Sequence, residues 1–141
     1  MRDRSQIKLI FFLIILFWSC FNTNLDLEKK VEVEYSYYSN GKIEFSAEYI
    51  NGKLDGLSKH WSEDGYLFSE AQYSNGKLHG YLRRYFPNGN LLAEINYFYG
   101  EKHGEEKWYY ETGQLKSEQK FIYGLADGEI IRWHIDGSII Y

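Results

Sequence analysis

All thirteen glycines of this 141-residue chain fall on one 24-residue lattice. Gly41, Gly65, Gly89, Gly113 and Gly137 form one column. Gly52, Gly76, Gly100 and Gly124 form a second, and Gly56, Gly80, Gly104 and Gly128 a third. Glycines scattered among unrelated loops would not share a period, so the chain is a tandem repeat, and each repeat must be one supersecondary unit packed on its neighbours. Other columns keep the same spacing. An aromatic residue precedes the first glycine by four places (Tyr37, Trp61, Tyr85, Tyr109, Trp133), and a branched aliphatic follows it by two (Ile43, Leu67, Leu91, Leu115, Ile139). Tyr49, Tyr73, Tyr97 and Phe121 make a second aromatic column.

Between the turn signals lie runs of strand length, too short for helices of ordinary size. The fold class expected is all-β: an elongated antiparallel β-meander of four 24-residue units and a partial fifth over residues 35–141. Each unit contributes two strands and two reversals. One reversal is centred on the turn glycines Gly41, Gly65, Gly89, Gly113 and Gly137, where positive φ is free of steric cost. A two-residue turn at Asp64-Gly65 would pair Trp61 with Phe68. A three-residue loop, Glu63-Asp64-Gly65, pairs Trp61 with Leu67 and keeps the aromatic and aliphatic columns together throughout. Because a one-residue slip moves every side chain to the other face, the second register is expected. Segments such as Asn75-Gly76-Lys77-Leu78-His79-Gly80 are expected to close the other reversals as longer loops. The aromatic columns should make ladders along one face. The opposite face should carry His60, Arg84 and Arg132 with Glu70, Glu94 and Glu118, facing solvent.

These strings resemble bacterial MORN-type repeats, in the variant found in YwqK-family antitoxins. The resemblance rests on Tyr37-Tyr38-Ser39-Asn40-Gly41-Lys42, on Tyr49-Ile50-Asn51-Gly52-Lys53-Leu54-Asp55-Gly56 and on Tyr73-Ser74-Asn75-Gly76-Lys77-Leu78-His79-Gly80. It continues through Tyr85-Phe86-Pro87-Asn88-Gly89 and Trp108-Tyr109-Tyr110-Glu111-Thr112-Gly113-Gln114-Leu115. In later units the Asn-Gly-Lys string drifts to Tyr99-Gly100-Glu101 and Tyr123-Gly124-Leu125. The resemblance implies an elongated β array that serves as a scaffold or binding surface, with an antitoxin role as the family label.

The N-terminus has a different character. Arg2, Arg4 and Lys8 precede ten apolar residues, Leu9–Trp18. That is the length of a signal-peptide core and about half of what a spanning helix needs, roughly 20 residues. Residues 1–19 are expected to form a signal helix and residues 20–34 a tether. By Val31-Glu32-Val33-Glu34-Tyr35 a period of two marks the first strand. The one cysteine, Cys20, follows the apolar run behind Ser19, an arrangement that resembles a bacterial lipobox. Lipidation at Cys20 would anchor the protein to a membrane, facing outside the cytoplasm. An ordinary cleaved signal, or an uncleaved anchor, with an incidental cysteine is the alternative.

Composition narrows the chemistry. The net charge is −4. Residues 1–19 hold three positive charges and one negative, so their removal leaves −6, unsuited to nucleic acid. No nucleophile elbow, phosphate loop or zinc-protease string occurs, and the glutamate column repeats as the polar side of a sheet would. His79 and His103 share a column with Asp55 and Asp127. Units start roughly 9–10 Å apart, too far for convergence on one metal ion. No catalytic residue, metal or cofactor is expected. The expected function is an envelope-anchored, non-catalytic scaffold for a protein partner. An antitoxin or immunity protein against a partner toxin is one alternative. A cell-wall glycan binder using exposed aromatics is the other. The candidate surface is Trp61, Tyr85, Tyr109 and Trp133.

Overall fold

The computed structural model describes residues 30–141. The expected signal helix, Cys20 and the tether up to residue 29 lie outside the described residues. Eleven strands follow in chain order: β1 (Val31–Tyr37), β2 (Ile43–Ile50), β3 (Lys53–Trp61), β4 (Leu67–Ser74), β5 (Lys77–Tyr85) and β6 (Leu91–Phe98). They continue as β7 (Glu101–Tyr109), β8 (Leu115–Ile122), β9 (Leu125–Ala126), β10 (Ile131–Trp133) and β11 (Ile139–Ile140). All belong to one antiparallel sheet in which β1 to β8 pair in sequence order. β9 and β10 then both pair with β8, and β11 closes the far edge. The first strand begins at Val31, where the alternation starts, so the last residues of the expected tether already belong to the sheet.

The wide hairpins have the expected register. Trp61 pairs with Leu67, Tyr85 with Leu91, Tyr109 with Leu115 and Trp133 with Ile139. Inside each sits a three-residue loop. At the first full one, Ser62 N–H donates to Tyr66 O and Gly65 N–H to Ser62 O, both at 2.9 Å, with Gly65 at φ +98. The other reversals differ from expectation. Ser74 pairs directly with Lys77, which leaves Asn75-Gly76 as a two-residue turn with both residues at positive φ (+50 and +82). That geometry matches the right-handed twist of flanking strands, which longer loops do not need to satisfy. Gly56, Gly80 and Gly104 of the third glycine column therefore lie inside the strands. Between the Ala47–Ser58 and Tyr49–Leu54 pairs, Glu48 stands opposite Asp55, Gly56 and Leu57, a bulge that repeats in β5 and β7.

The sheet is one layer thick, and burial reflects that. Among the described residues only Ala47, Ala71, Ala93, Ile95 and Ser58 are buried, and no large side chain is fully buried. Four of these sit on one row across the sheet, Ala47–Ser58–Ala71–Leu82–Ile95–Glu106–Gln119, in which each residue pairs with the next. Small side chains there let larger neighbours close over them. Stability thus comes from backbone ladders and from cross-strand pairs of roughly 0.2–1 kcal/mol each, summed over adjacent strands.

Candidate binding surfaces

The face opposite the alanine row carries a ladder of charges. Lys59, Glu70, Arg83, Glu94, Lys107 and Glu118 follow one another across β3 to β8, each paired with the next and alternating in sign. Glu70 lies 3.9 Å from Lys59 and 3.8 Å from Arg83, and Arg83 donates to Glu94 at 2.6 Å. The glutamate column was expected to face away from the aromatic column. Instead Tyr85 donates its hydroxyl to Glu70 Oε1 at 2.8 Å, so aromatic and glutamate columns share this face. The reason is the bulge before each wide hairpin, between His60 and Trp61 for example, which inserts one residue that simple alternation does not count. His60 does lie on the other face, with its ring 4.5 Å from that of Phe45 and 5.8 Å from that of Phe68. The second aromatic column is on that face too. Trp108 donates to Glu106, Glu106 pairs with Lys102, and the Lys102 ammonium stands 4.7 Å over the Phe121 ring. The two aromatic columns therefore line opposite faces.

Trp61, Tyr85, Tyr109 and Trp133 are aligned as expected, two strands apart and half-buried beside their aliphatic partners. Burial, reinforced by the bond to Glu70, pushes the Tyr85 phenol up to about 12. Burial also raises Tyr109. With its hydroxyl bonded to Glu70, Tyr85 acts as part of the frame.

Exposed aromatic surface gathers instead at the tips of the tight hairpins β6–β7 and β8–β9. Tyr99 and Tyr123 replace the asparagines of the earlier tips yet keep their backbone, at φ +49 and +47. Asparagine tolerates that region, whereas a tyrosine there is strained. Both rings are more than half exposed, at 52% and 58%. They join Phe98, His79 and His103: His79 lies 4.5 Å from Tyr99 and 5.1 Å from Phe98, and His103 lies 4.8 Å from Tyr123. Ile122 and Leu125 extend the exposed patch. The two histidines are thus half-buried strand residues and not the exposed turn residues that the spacing suggested. Successive tips are zipped together by backbone bonds, Gly76 N–H to Leu54 O, Gly100 N–H to Leu78 O and Gly124 N–H to Lys102 O, at 2.7–2.8 Å. Side chains of the His79 column complete the join in some units. Asp55 Oδ2 accepts from Asn75 N–H at 3.2 Å and His103 Nδ1 faces Tyr123 N–H at 3.5 Å, whereas His79 Nδ1 is buried without a partner. Among the described residues no three potential metal ligands converge.

A second feature lies on the alanine-row face at the C-terminal end, a groove of about 570 Å³ whose lining includes Leu92, Trp108, Lys116, Ser117, Ile130 and Arg132.

Four stretches of the chain match the family described as MORN repeat variant, residues 33–51, 54–75, 78–98 and 102–123. Together they cover more than half of the chain. The protein belongs to the MORN repeat variant family. A comparison with curated proteins finds no match. Each MORN stretch runs from a wide-hairpin strand to a tight tip, so its boundaries follow the second glycine column. The last match stops at Tyr123, and the strands beyond it are the shortest in the sheet.

Of the functional candidates, Tyr99, Tyr123, Phe98 and Trp108 lie outside the expected surface of Trp61, Tyr85, Tyr109 and Trp133. The signal for the tyrosines was present, as the drift from Asn-Gly to Tyr-Gly. Reading the reversal as a long loop concealed that the drift placed tyrosine at positive φ. Trp108 stands in a column otherwise filled by Ser36, His60, Arg84 and Arg132, a substitution visible only once the columns are assigned to faces.

Proposed function

We propose that this MORN repeat protein is an envelope-anchored, non-catalytic scaffold that docks a protein partner on the aromatic tips of its third and fourth units. The observation that carries the reading is the pair of exposed tyrosines held at positive φ. A residue that costs local stability and buries little in return fits a contact surface better than a folding element. Tyrosine and phenylalanine beside aliphatics are the side chains enriched at the centre of protein interfaces. The engagement of the ladder-face charges with one another supports a structural role for them over a catalytic one. The anchoring part rests on Leu9–Trp18 and Cys20.

The test is affinity capture from the native envelope with the full-length chain and with Tyr99→Asn/Tyr123→Asn. A partner retained by the wild type and lost by the variant is the expected result. Equal recovery from both would remove the tips from the interface, and a captured toxin would assign an immunity role. Labelling with a palmitate analogue should mark the wild type and fail in Cys20→Ala, whereas equal labelling would contradict the anchor.

A further inference from the structure

We propose that the groove over Trp108 is a binding site for a neutral glycan, taking one sugar ring flat on the indole. This stands independently of any partner at the tips, because the groove lies on the alanine-row face and the tip tyrosines do not line it.

The floor is fixed before a ligand arrives. Trp108 Nε1 donates to Glu106 Oε1 at 2.7 Å, and Glu106 is itself paired with Lys102. The indole therefore has its one polar atom satisfied and can present its ring as an apolar platform. Leu92 and Ile130 supply apolar walls, and Ile130 is 38% exposed, as expected of a wall with nothing packed on it. The polar groups around this floor are both donors and acceptors. Arg132 makes no ion pair among the described residues, and the Ser117 hydroxyl can donate or accept. Gln119 donates its amide to Gly128 O at 2.8 Å, which leaves its carbonyl oxygen available. The volume falls in the range that holds small ligands, roughly 300–1,000 Å³.

Charge selects the ligand class. Lys116 and Arg132 on the lining stand beside Glu111 and a Glu106 already paired with Lys102, which leaves one cation in surplus, short of the cationic cluster a phosphate or acidic peptide would need, and no anionic surplus. Alternating donors and acceptors around an apolar floor complement a polyhydroxylated ring, whose faces are C–H and whose edge is hydroxyl.

The array contains its own negative control. One period earlier, Arg84 occupies the place of Trp108, Leu82 that of Glu106, Ala93 that of Ser117 and Ile95 that of Gln119. The same backbone there has no aromatic floor and lacks the polar rim.

The experiment titrates tetra-N-acetylchitotetraose and cellotetraose, both neutral, into the full-length chain in a non-glycosidic detergent, read by calorimetry and tryptophan emission. Saturable binding of at least one is expected, with Kd raised at least tenfold by Trp108→Ala and unchanged by Trp61→Ala on the opposite face. Arg132→Ala, at an exposed side chain, should weaken binding while circular dichroism stays that of the wild type, and it keeps the test valid should Trp108→Ala misfold. Three results would overturn the proposal: no saturable binding of either sugar into the millimolar range, affinity unchanged in a folded Arg132→Ala or Trp108→Ala chain, or equal loss in Trp61→Ala. Binding of a tyrosine-rich peptide in the groove, with neither sugar bound, would overturn the ligand class.

Discussion

The first two tight tips and the last two share a backbone and differ in chemistry. Asn51-Gly52 and Asn75-Gly76 hold positive φ with the residue best suited to it, and Tyr99-Gly100 and Tyr123-Gly124 hold the same angles with one that is not. The third glycine column shows a parallel change. A Cβ on Gly56 would stand 2.2 Å from Glu48 Oε2 and 2.8 Å from Glu48 Cβ, and one on Gly80 2.1 Å from Gln72 Oε1. At Gly104 the nearest atom is 3.4 Å away, and around Gly128 there is open space. The N-terminal units are close-fitted and locally optimal. The C-terminal units keep the frame, loosen the fit and expose aromatic surface. Local rules broken in one half of a repeat array, with the other half as reference, point to where selection acted on something besides folding.

The largest expected effect sharpens the contrast in fit. Gly56→Ala combines a φ of +124 with displacement of the Glu48 carboxylate, which accepts the Leu57 N–H at 2.9 Å. It should cost about 3 kcal/mol, from the steric penalty at positive φ and the lost part-buried hydrogen bond. Gly104→Ala pays the backbone term with little contact cost, about 1–2 kcal/mol. Urea unfolding of the two variants measures the difference, and equal losses would mean the two halves are fitted alike. Next in size, Tyr99→Asn or Tyr123→Asn should stabilise the fold by about 0.5–1 kcal/mol each, since asparagine relieves the strain of a tyrosine at positive φ. Destabilisation would instead assign the tyrosines to the fold and erase the contrast between tips. The smallest effect concerns the frame that both halves share. The Tyr85 phenol is raised by burial and by Glu70, so its neutral form is favoured in the folded chain. Its contribution is complete below the unfolded value of 10.0 and disappears as pH rises toward about 12. Tyr85→Phe should therefore flatten part of the stability loss between those pH values. An unchanged alkaline profile would show that the hydroxyl does not report on the ladder face.

How far the sequence could be read depended on the bulges. The period of 24 led directly to the meander and the Trp61–Leu67 register, because glycine columns and hydrophobic pairing point to the same answer. Face assignment failed at Glu70, since one inserted residue per wide hairpin, such as Phe68, turns the alternation over. The tight turn at Asn75-Gly76 escaped because Gly80 looks like a loop residue until its strand bulge is seen. The tips and the Trp108 groove depend on which units sit beside each other across the sheet, and that proximity follows from pairing and not from local composition.

The C-terminal tips are the proposed contact surface. A photo-crosslinking residue placed singly at 51, 75, 99 and 123 of the full-length chain, irradiated in its native envelope, tests this most directly. Adducts to one partner from positions 99 and 123, and none from 51 and 75, are the predicted result. Adducts spread equally over all four tips, or confined to 51 and 75, would contradict it.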